Sequence, residues 1–290
     1  MMILDWLKKK LMPLRGTLRG TVLAPYRFAC FGINDFGGRN DLAGCVNDAT
    51  DWREFAVREL GFTREQTRML ADREATRGAI LESWKWAIDG IKPGHLVLLQ
   101  GSSHGVQIPD RNSDEDDRLD EAFCTYGFNW APNTMITDDE ICAMFSHVPD
   151  GALVVIIADC CHSGTMNRSP LEDVRPRRIV PRDNDFDQYR AAHAQIRAIG
   201  DCARGDSDPR NLVVLAACKP REFAYDASFG GRARGAFTHA TLRTLTQHGV
   251  GDITYRKLID RVGKSIGYPQ NPQLSCAPGL ESLVAFKHGR

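Results

Sequence analysis

The sequence lacks several features that would assign it to a common functional class. It has no CxxC pair among its nine cysteines, and its 37 basic residues are balanced by 37 acidic ones. Its apolar runs fall well short of the ~20 residues that a membrane-spanning helix needs. These absences argue against a zinc ribbon, a dedicated nucleic-acid surface and a membrane span. An odd, irregularly spaced set of cysteines is typical of a reducing compartment, so we expect a cytoplasmic protein with mostly buried thiols.

Residues 1–25 stand apart from the rest of the chain. Apolar residues recur there at helical spacing beside a run of lysines, at Ile3, Leu4, Leu7 and Leu11. The lysine run interrupts any signal-peptide core. The segment could be a helix that docks on a membrane surface or a partner. We favour the alternative, a solvated tail or a helix packed on the domain, and expect no membrane contact.

The most informative stretch is residues 153–165, LVVIIADCCHSGT. Its apolar, β-branched start predicts a strand that is buried on both faces. In open α/β sheets, ligands bind beyond the carboxyl ends of the strands, which is where an acid and two cysteines follow. Alternation along the strand puts Asp159 and Cys161 on one side and Cys160 on the other. Cys161, on the same side as Asp159, is a candidate nucleophile, and two buried structural thiols are the alternative.

A second apolar run, residues 96–99, is followed by QGSSHG and so places His104 at the same edge of the sheet. His104 lies 57 residues before Cys161, close to the spacing known in caspases. An imidazole beside a thiol can take its proton and later return it to a leaving group. Strands and helices alternate along the chain, which predicts a mainly parallel sheet with helices on both faces.

Several boundaries follow from the same patterns. Asp41 is a plausible N-cap for a helix that ends at Gly61, and Thr76 for a helix that ends near Ile88. A short helix should follow Asp138, and two more helices should cover residues 235–247 and 255–266. We expect the last strand over residues 282–286.

The motifs GCVNDA, SSHGVQIPD and DCCHSGT together resemble the metacaspase branch of the caspase-like cysteine peptidases, peptidase family C14. The likeness runs from about residue 28 to the end of the chain. It implies an α/β, caspase-like three-layer sandwich built on a mainly parallel six-stranded sheet. It also divides the chain into an N-terminal extension, a large part with His104 and Cys161, a flexible linker loop and a small part: residues 1–25, 26–166, 167–209 and 210–290.

The resemblance implies a role for each residue of the motifs. Cys161, which directly precedes His-Ser-Gly, would be the nucleophile and His104 its base. The backbone N–H groups of Gly105 and Cys161 would form the oxyanion hole. His162 should be structural, and residues 224–226 should lie beside the substrate cleft.

The resemblance also implies a primary specificity (S1) pocket, lined by Cys45, Asp48, Ser102 and Asp159. Two carboxylates in a narrow slot favour a cation, and a guanidinium can satisfy both with forked hydrogen bonds. We therefore expect cleavage after Arg or Lys and not after Asp. The alternative for Asp48 is an acid stabilised by the N-terminus of its helix.

The segment 110–121, DRNSDEDDRLDE, is dense in carboxylates. It is not an EF-hand, because Glu115 stands where that loop requires Gly. The resemblance implies calcium as an activator, held by acids at Asp120, Asp138 and Asp139. A further acid is expected after the catalytic Cys, where this chain has Asn167 and Arg168. No cofactor is needed for the chemistry, and the alternative is a solvated acidic loop.

The linker is rich in arginine, at Arg168, Arg175, Arg177, Arg178 and Arg182. A protease specific for basic residues could cut itself there, and a charged surface linker is the alternative. We expect a monomer that acts on protein or peptide substrates. The first competing hypothesis is a catalytically weak scaffold or regulator that needs a partner. A different thiol hydrolase on a doubly wound sheet is the second, and it leaves the paired acids Asp48 and Asp159 unexplained.

Overall fold

A computed structural model describes residues 23–109, 119–145, 148–161, 174–179, 181, 185, 189, 211–219 and 222–287. Its strands are β1 Ala24–Gly32, β2 Thr67–Ala71, β3 His95–Ser102, β4 Gly105–Pro109, β5 Leu119–Cys124, β6 Met135–Thr137, β7 Leu153–Asp159, β8 Arg175–Pro176, β9 Leu212–Ala216, β10 Tyr225–Phe229, β11 Arg232–Gly235 and β12 Gln273–Cys276. Its longer helices are α1 Cys45–Glu59, α2 Arg77–Ile88, α3 Asp138–Phe145, α4 Ala236–His248 and α5 Tyr255–Ser265.

The main sheet has six strands in the order β12-β9-β7-β3-β1-β2. The four pairings among β9, β7, β3, β1 and β2 are parallel, and β12 runs antiparallel to β9. Every residue of β7 is buried, as its continuous apolar sequence predicts. The predicted mainly parallel six-stranded sheet is thus confirmed.

Helices cover both faces of this sheet. On one face, α1, α4 and α5 contribute side chains such as Trp52, Phe237 and Leu258 to the core. On the other, α2 and α3 contribute Trp84 and Phe145. Thr76 caps α2 as predicted, since its Oγ1 accepts a hydrogen bond from the N–H of Ala79 at 3.4 Å.

Two predicted boundaries are wrong. The sixth strand is β12 and not residues 282–286, where Val284 forms only an isolated bridge with Thr254. Hydropathy points to the wrong segment because β12 (QLSC) is a short edge strand with polar residues at alternate positions. Helix α1 begins at Cys45, four residues beyond Asp41, whose carboxylate instead accepts hydrogen bonds from the N–H groups of Phe36 and Gly38.

Two smaller antiparallel sheets flank the carboxyl edge of the main sheet. One has the order β4-β5-β6, and the other has the order β11-β10-β8. In the second, Pro176 is paired with Tyr225 and Arg175 with Asp226. Residues expected to belong to a flexible linker are therefore part of a sheet beside residues 224–226. Among the described residues, no helix is both long and apolar enough to cross a bilayer.

Candidate active site

The carboxyl ends of β3 and β7 bring the two predicted catalytic residues to one edge of the main sheet. The parallel register pairs Ser102 with Asp159 at these ends, just before His104 and Cys161. Cys161 belongs to the core on the α1 side of the sheet, and Cys160 to the core on the opposite side. This is the orientation that alternation along the strand predicts.

The imidazole of His104 is buried and held by a main-chain carbonyl. Its Nε2 lies 2.6 Å from the O of Asn40, and its ring packs edge-on against Phe36. Because a carbonyl oxygen can only accept, Nε2 carries the hydrogen in the neutral ring and Nδ1 keeps its lone pair. Burial lowers the pKa of His104 to about 4, against the opposing effect of the Asn40 and Arg177 carbonyls. The neutral ring at pH 7 is therefore a base through Nδ1.

The thiol of Cys161 is buried against the main chain of Ala224. The N–H of Ala224 donates to Sγ at 2.7 Å, and Sγ lies 3.3 Å from the carbonyl O of the same residue. Burial raises the pKa of Cys160 well above its usual range, so that thiol stays protonated.

The side chain of Arg177 fills the predicted specificity pocket and is fully buried there. Its Nη2 lies 2.6 Å from Oδ2 of Asp48 and 2.8 Å from Oδ1 of Asp226, and its Nη1 lies 3.1 Å from Oδ1 of Asp159. Burial alone would lower the pKa of this guanidinium, but the surrounding carboxylates raise it well above its usual range. The pocket thus holds one cation against three acids.

Main-chain and hydroxyl groups fix each carboxylate in place. Asp48 accepts the N–H of Gly235, Asp159 accepts the N–H and Oγ1–H of Thr238, and Asp226 accepts the N–H groups of Ala43 and Gly44. Burial raises the pKa of Asp48 to about 7, and Asp159 acts in the same direction while Arg177 opposes it. A pocket with buried acids that crowd one another strongly favours a positively charged occupant.

The other two predicted pocket residues stand near this cluster. Cys45 is buried in the first turn of α1, where burial raises the pKa of its thiol and the charge of Arg177 opposes that rise. Ser102 is buried on β3, and its Oγ accepts a hydrogen bond from Gln100 at 2.7 Å. Gly235 also belongs to the pocket, because a Cβ there would overlap the Asp159 carboxylate and the Arg177 guanidinium.

The backbone of Arg177 lies where a peptide bond under attack would lie. Its carbonyl O accepts the N–H groups of Gly105 and Cys161, each at 3.1 Å, and its own N–H donates to the carbonyl of Ala224 at 3.0 Å. Two N–H groups that converge on one carbonyl oxygen are the arrangement of an oxyanion hole. The predicted pair of donors is thus brought together around a residue of the chain itself.

Sequence reasoning missed three members of this site. Asp226 was expected beside the cleft but not as a third pocket carboxylate, and no pattern pointed to the carbonyl of Asn40. Arg177 was expected as one of several linker arginines, either a site of self-cleavage or part of a charged surface, and not as a completely buried side chain. The sequence shows Arg177 between Pro176 and Arg178, but this position alone does not separate it from the other linker arginines. Only the pairing of β8 with β10 distinguishes it from them.

The predicted calcium ligands come from two neighbouring elements. Asp120 belongs to β5, whereas Asp138 and Asp139 begin α3, directly after β6, the strand that pairs with β5. Oxygen donors of this kind suit Ca²⁺. The described ranges contain no cluster of three groups that could hold a metal ion, and the rest of the acidic loop, residues 110–118, lies outside them. The calcium site therefore stays a prediction.

Other predictions also fall outside the described residues. They concern the N-terminal extension up to residue 22, His162, the substituted positions Asn167 and Arg168, and Arg182. The division of the chain into a large part, a linker and a small part likewise stays a prediction.

Comparisons with known proteins agree with the family resemblance of the motifs. The sequence profile described as "Metacaspase, peptidase C14 domain" matches residues 27–170. Metacaspase-1 of Cryptococcus neoformans is 27% identical over 89% of this chain and 63% of its own length. Metacaspase-1B of Aspergillus fumigatus is 27% identical over 90% of this chain and 71% of its own. The chain thus spans less than two thirds of the Cryptococcus relative.

Solved structures show the same fold. Protein GSU0716 from Geobacter sulfurreducens superposes with a TM-score of 0.70 at 23% identity, over 92% of this chain and 100% of that one. Caspase-1 from Spodoptera frugiperda superposes with a TM-score of 0.57 at 13% identity, over 96% of this chain and 97% of its own. Motifs, fold and relatives lead to one conclusion: residues 27–170 match the metacaspase domain of peptidase family C14, and most of the chain is similar to curated metacaspases.

Proposed function

We propose that this protein is a cysteine endopeptidase that hydrolyses peptide bonds after Arg or Lys. One observation carries the proposal: Arg177 has its guanidinium among Asp48, Asp159 and Asp226, and its carbonyl oxygen between the N–H groups of Gly105 and Cys161. A substrate arginine bound in the same way would present its carbonyl carbon at the thiol.

The chemistry follows from the groups around that carbonyl. His104 takes the Cys161 proton on Nδ1, and the thiolate attacks the carbonyl carbon while the oxyanion is held by the two N–H groups. The C–N bond then breaks, and the leaving amine takes the proton from His104. Water, deprotonated by the same imidazole, hydrolyses the thioester and releases the new carboxylate and the free thiol.

The pocket should prefer Arg over Lys and exclude Asp. A planar guanidinium reaches the three carboxylates from two nitrogens at once, as Arg177 does. An ammonium presents its donors from one atom and cannot match that fork. An aspartate would add a fourth negative charge to a buried acidic site, which is strongly unfavourable.

We propose further that the Arg177–Arg178 bond is a substrate of the enzyme itself. Arg177 occupies the cleft with its carbonyl already hydrogen-bonded to the N–H groups of Gly105 and Cys161, so attack needs no other chain. An Arg177→Gln chain should not be cut at this bond. An Arg175→Gln chain should be cut normally, because the side chain of Arg175 donates to the carbonyl of Asp41 and not to the pocket carboxylates. Equal cutting of both variants would contradict this assignment.

Calcium activation is a separate prediction, with Asp120, Asp138 and Asp139 as the residues that would contribute to the site. Calcium would neutralise the charge of these carboxylates beside the β4-β5-β6 sheet, whose first strand begins with Gly105. We expect an Asp139→Asn variant to need more calcium for half-maximal activity. Activity that is equal in calcium and in chelator would remove this prediction without affecting the rest.

The decisive test uses fluorogenic peptides that end in Arg, Lys or Asp, with wild type and Cys161→Ala, each in calcium and in chelator. We expect cleavage after Arg and more slowly after Lys, none after Asp, and none with the variant. Cleavage after Asp would contradict the pocket assignment. No cleavage of any peptide would favour the alternative of a scaffold or regulator that needs a partner.

A further inference from the structure

Main-chain contacts hold the two residues that follow Arg177 in the cleft. They lie on the side that would bind the leaving part of a substrate, here called the leaving side. Arg178 forms a parallel bridge with Gly105, and the N–H of Ile179 lies 3.4 Å from the Gly105 carbonyl. Gly105 also donates to the Arg177 carbonyl. The same residue therefore fixes the scissile carbonyl and the two residues that follow it.

This backbone position puts the Ile179 side chain onto an apolar surface. Ile179 is only 8% exposed and belongs to a cluster of buried residues on one face of the β4-β5-β6 sheet. Besides Ile179 and Tyr189, which also comes from the linker, the cluster consists of Val106, Ile108, Ala122, Cys124, Trp130 and Met135. We call these last six residues the leaving-side patch.

The side chains of the two residues after the cut contact different surfaces. Arg178 places its guanidinium 5.7 Å from the centre of the Phe223 ring, toward the other wall of the cleft. Ile179, one residue further, turns to the leaving-side patch, where an aliphatic or aromatic side chain removes apolar area from water. A charged side chain at that position would have to be desolvated among apolar groups.

We propose that the leaving-side patch is a substrate subsite that takes an apolar side chain at the second residue after the cut. Ile179 occupies it in the uncut chain, as Arg177 occupies the acidic pocket. The proposal rests on the proposed function, because it extends the same cleft beyond the scissile bond. It narrows the substrates to segments with a basic residue before the cut and an apolar residue two positions after it.

The test compares two internally quenched peptides with the core Val-Arg-Pro-Arg-Arg-X, which copies residues 174–178. The peptides differ only in X, which is Ile in one and Asp in the other. A third substrate, Val-Arg-Pro-Arg-aminocoumarin, has no residue on the leaving side beyond the dye and reports the acidic pocket and the catalytic pair alone. We expect kcat/KM to be roughly ten- to a hundred-fold higher for X = Ile, the range that burial of one such side chain gives.

Equal kcat/KM for the two quenched peptides, with the aminocoumarin substrate still cleaved, would overturn the subsite and leave the proposed function intact. If none of the three substrates is cleaved, both the subsite and the proposed function are overturned. Cleavage of the quenched Ile peptide alone would support the subsite, because it would show that the leaving side is needed for turnover.

A pair of linker variants gives a second measurement within the chain. Ile179→Leu keeps an aliphatic side chain on the patch, whereas Ile179→Asp places a charge there. We expect self-cleavage of the Ile179→Asp chain to be at least about ten-fold slower than that of Ile179→Leu. Equal rates would contradict the subsite, and circular dichroism checks that both chains are folded.

Discussion

Two regions, one on either side of the Arg177–Arg178 peptide bond, hold their occupants through different interactions. The acidic pocket of Asp48, Asp159 and Asp226 surrounds a fully buried guanidinium with charge. The leaving-side patch surrounds Ile179 with apolar side chains. A buried charge without its partner is strongly unfavourable, whereas a smaller apolar side chain only reduces the buried area. We therefore expect the acidic pocket to distinguish sharply between charged and uncharged side chains of the substrate. The leaving-side patch should distinguish only gradually between apolar side chains of different size.

We expect the largest effect from removing the thiol of Cys161, which attacks a substrate held by both regions. Cys161→Ala should lower peptide cleavage and self-cleavage by more than about 10³-fold, because the proposed thioester forms on this thiol. Cys160→Ala is the matched control, since its thiol lies on the other face of the sheet. Fluorogenic assays and gel analysis measure both. A Cys160→Ala chain that is folded but inactive would contradict the assignment.

The next effect tests the acidic pocket. Asp159→Asn keeps the shape of the side chain and an acceptor for Thr238 but removes a charge that faces the guanidinium. We expect kcat/KM for an Arg peptide to fall by roughly 10²–10³-fold, in line with the loss of one partner of a buried charge pair. Asp89→Asn, on an exposed acid outside the cleft, should change nothing. Similar values for both variants would remove the contrast between pocket and surface.

The third effect is a pH dependence of stability. His104 has a pKa of about 4 in the folded state and about 6.5 in the unfolded chain. Between these values the unfolded state binds more protons, so this group lowers the free energy of unfolding as the pH falls from 6.5 toward 4. The loss should reach about 3 kcal/mol at pH 4.

The comparison needs His104→Gln and its parent in one Cys161→Ala background, measured by urea denaturation. Asp48 acts in the opposite direction, because its raised pKa lowers stability as the pH rises from about 4 to 7. That contribution is present in both chains and cancels in the difference. Identical pH profiles for the two chains would contradict a buried, neutral His104.

The smallest effect concerns the leaving-side patch. Ile108→Val removes one buried methylene from β4 and should lower the free energy of unfolding by about 1 kcal/mol. Hydrolysis of Val-Arg-Pro-Arg-aminocoumarin should be unchanged, since the patch does not touch the residues before the cut. A large fall in aminocoumarin hydrolysis would show that the two regions are coupled rather than independent.

The sequence predicts most of the central sheet, because buried parallel strands such as β7 are continuous apolar runs. It also places His104, Asp159 and Cys161 at one edge of the sheet, since the carboxyl ends of parallel strands meet there. Asp48 lies on a helix, and only the family resemblance assigned it to the same site. It could not predict the sixth strand, which is short and polar. Nor could it predict that Arg175–Pro176 pairs with β10, because that pairing depends on contacts between segments far apart in the chain.

The most direct test of the central claim is intact-mass analysis and N-terminal sequencing of the wild-type chain after incubation with calcium. The account predicts fragments of residues 1–177 and 178–290, with Arg178 as the new N-terminus, and a single uncut chain for Cys161→Ala. A first cut at any other bond would contradict the reading of Arg177 as the bound substrate residue, as would cutting of the Cys161→Ala chain.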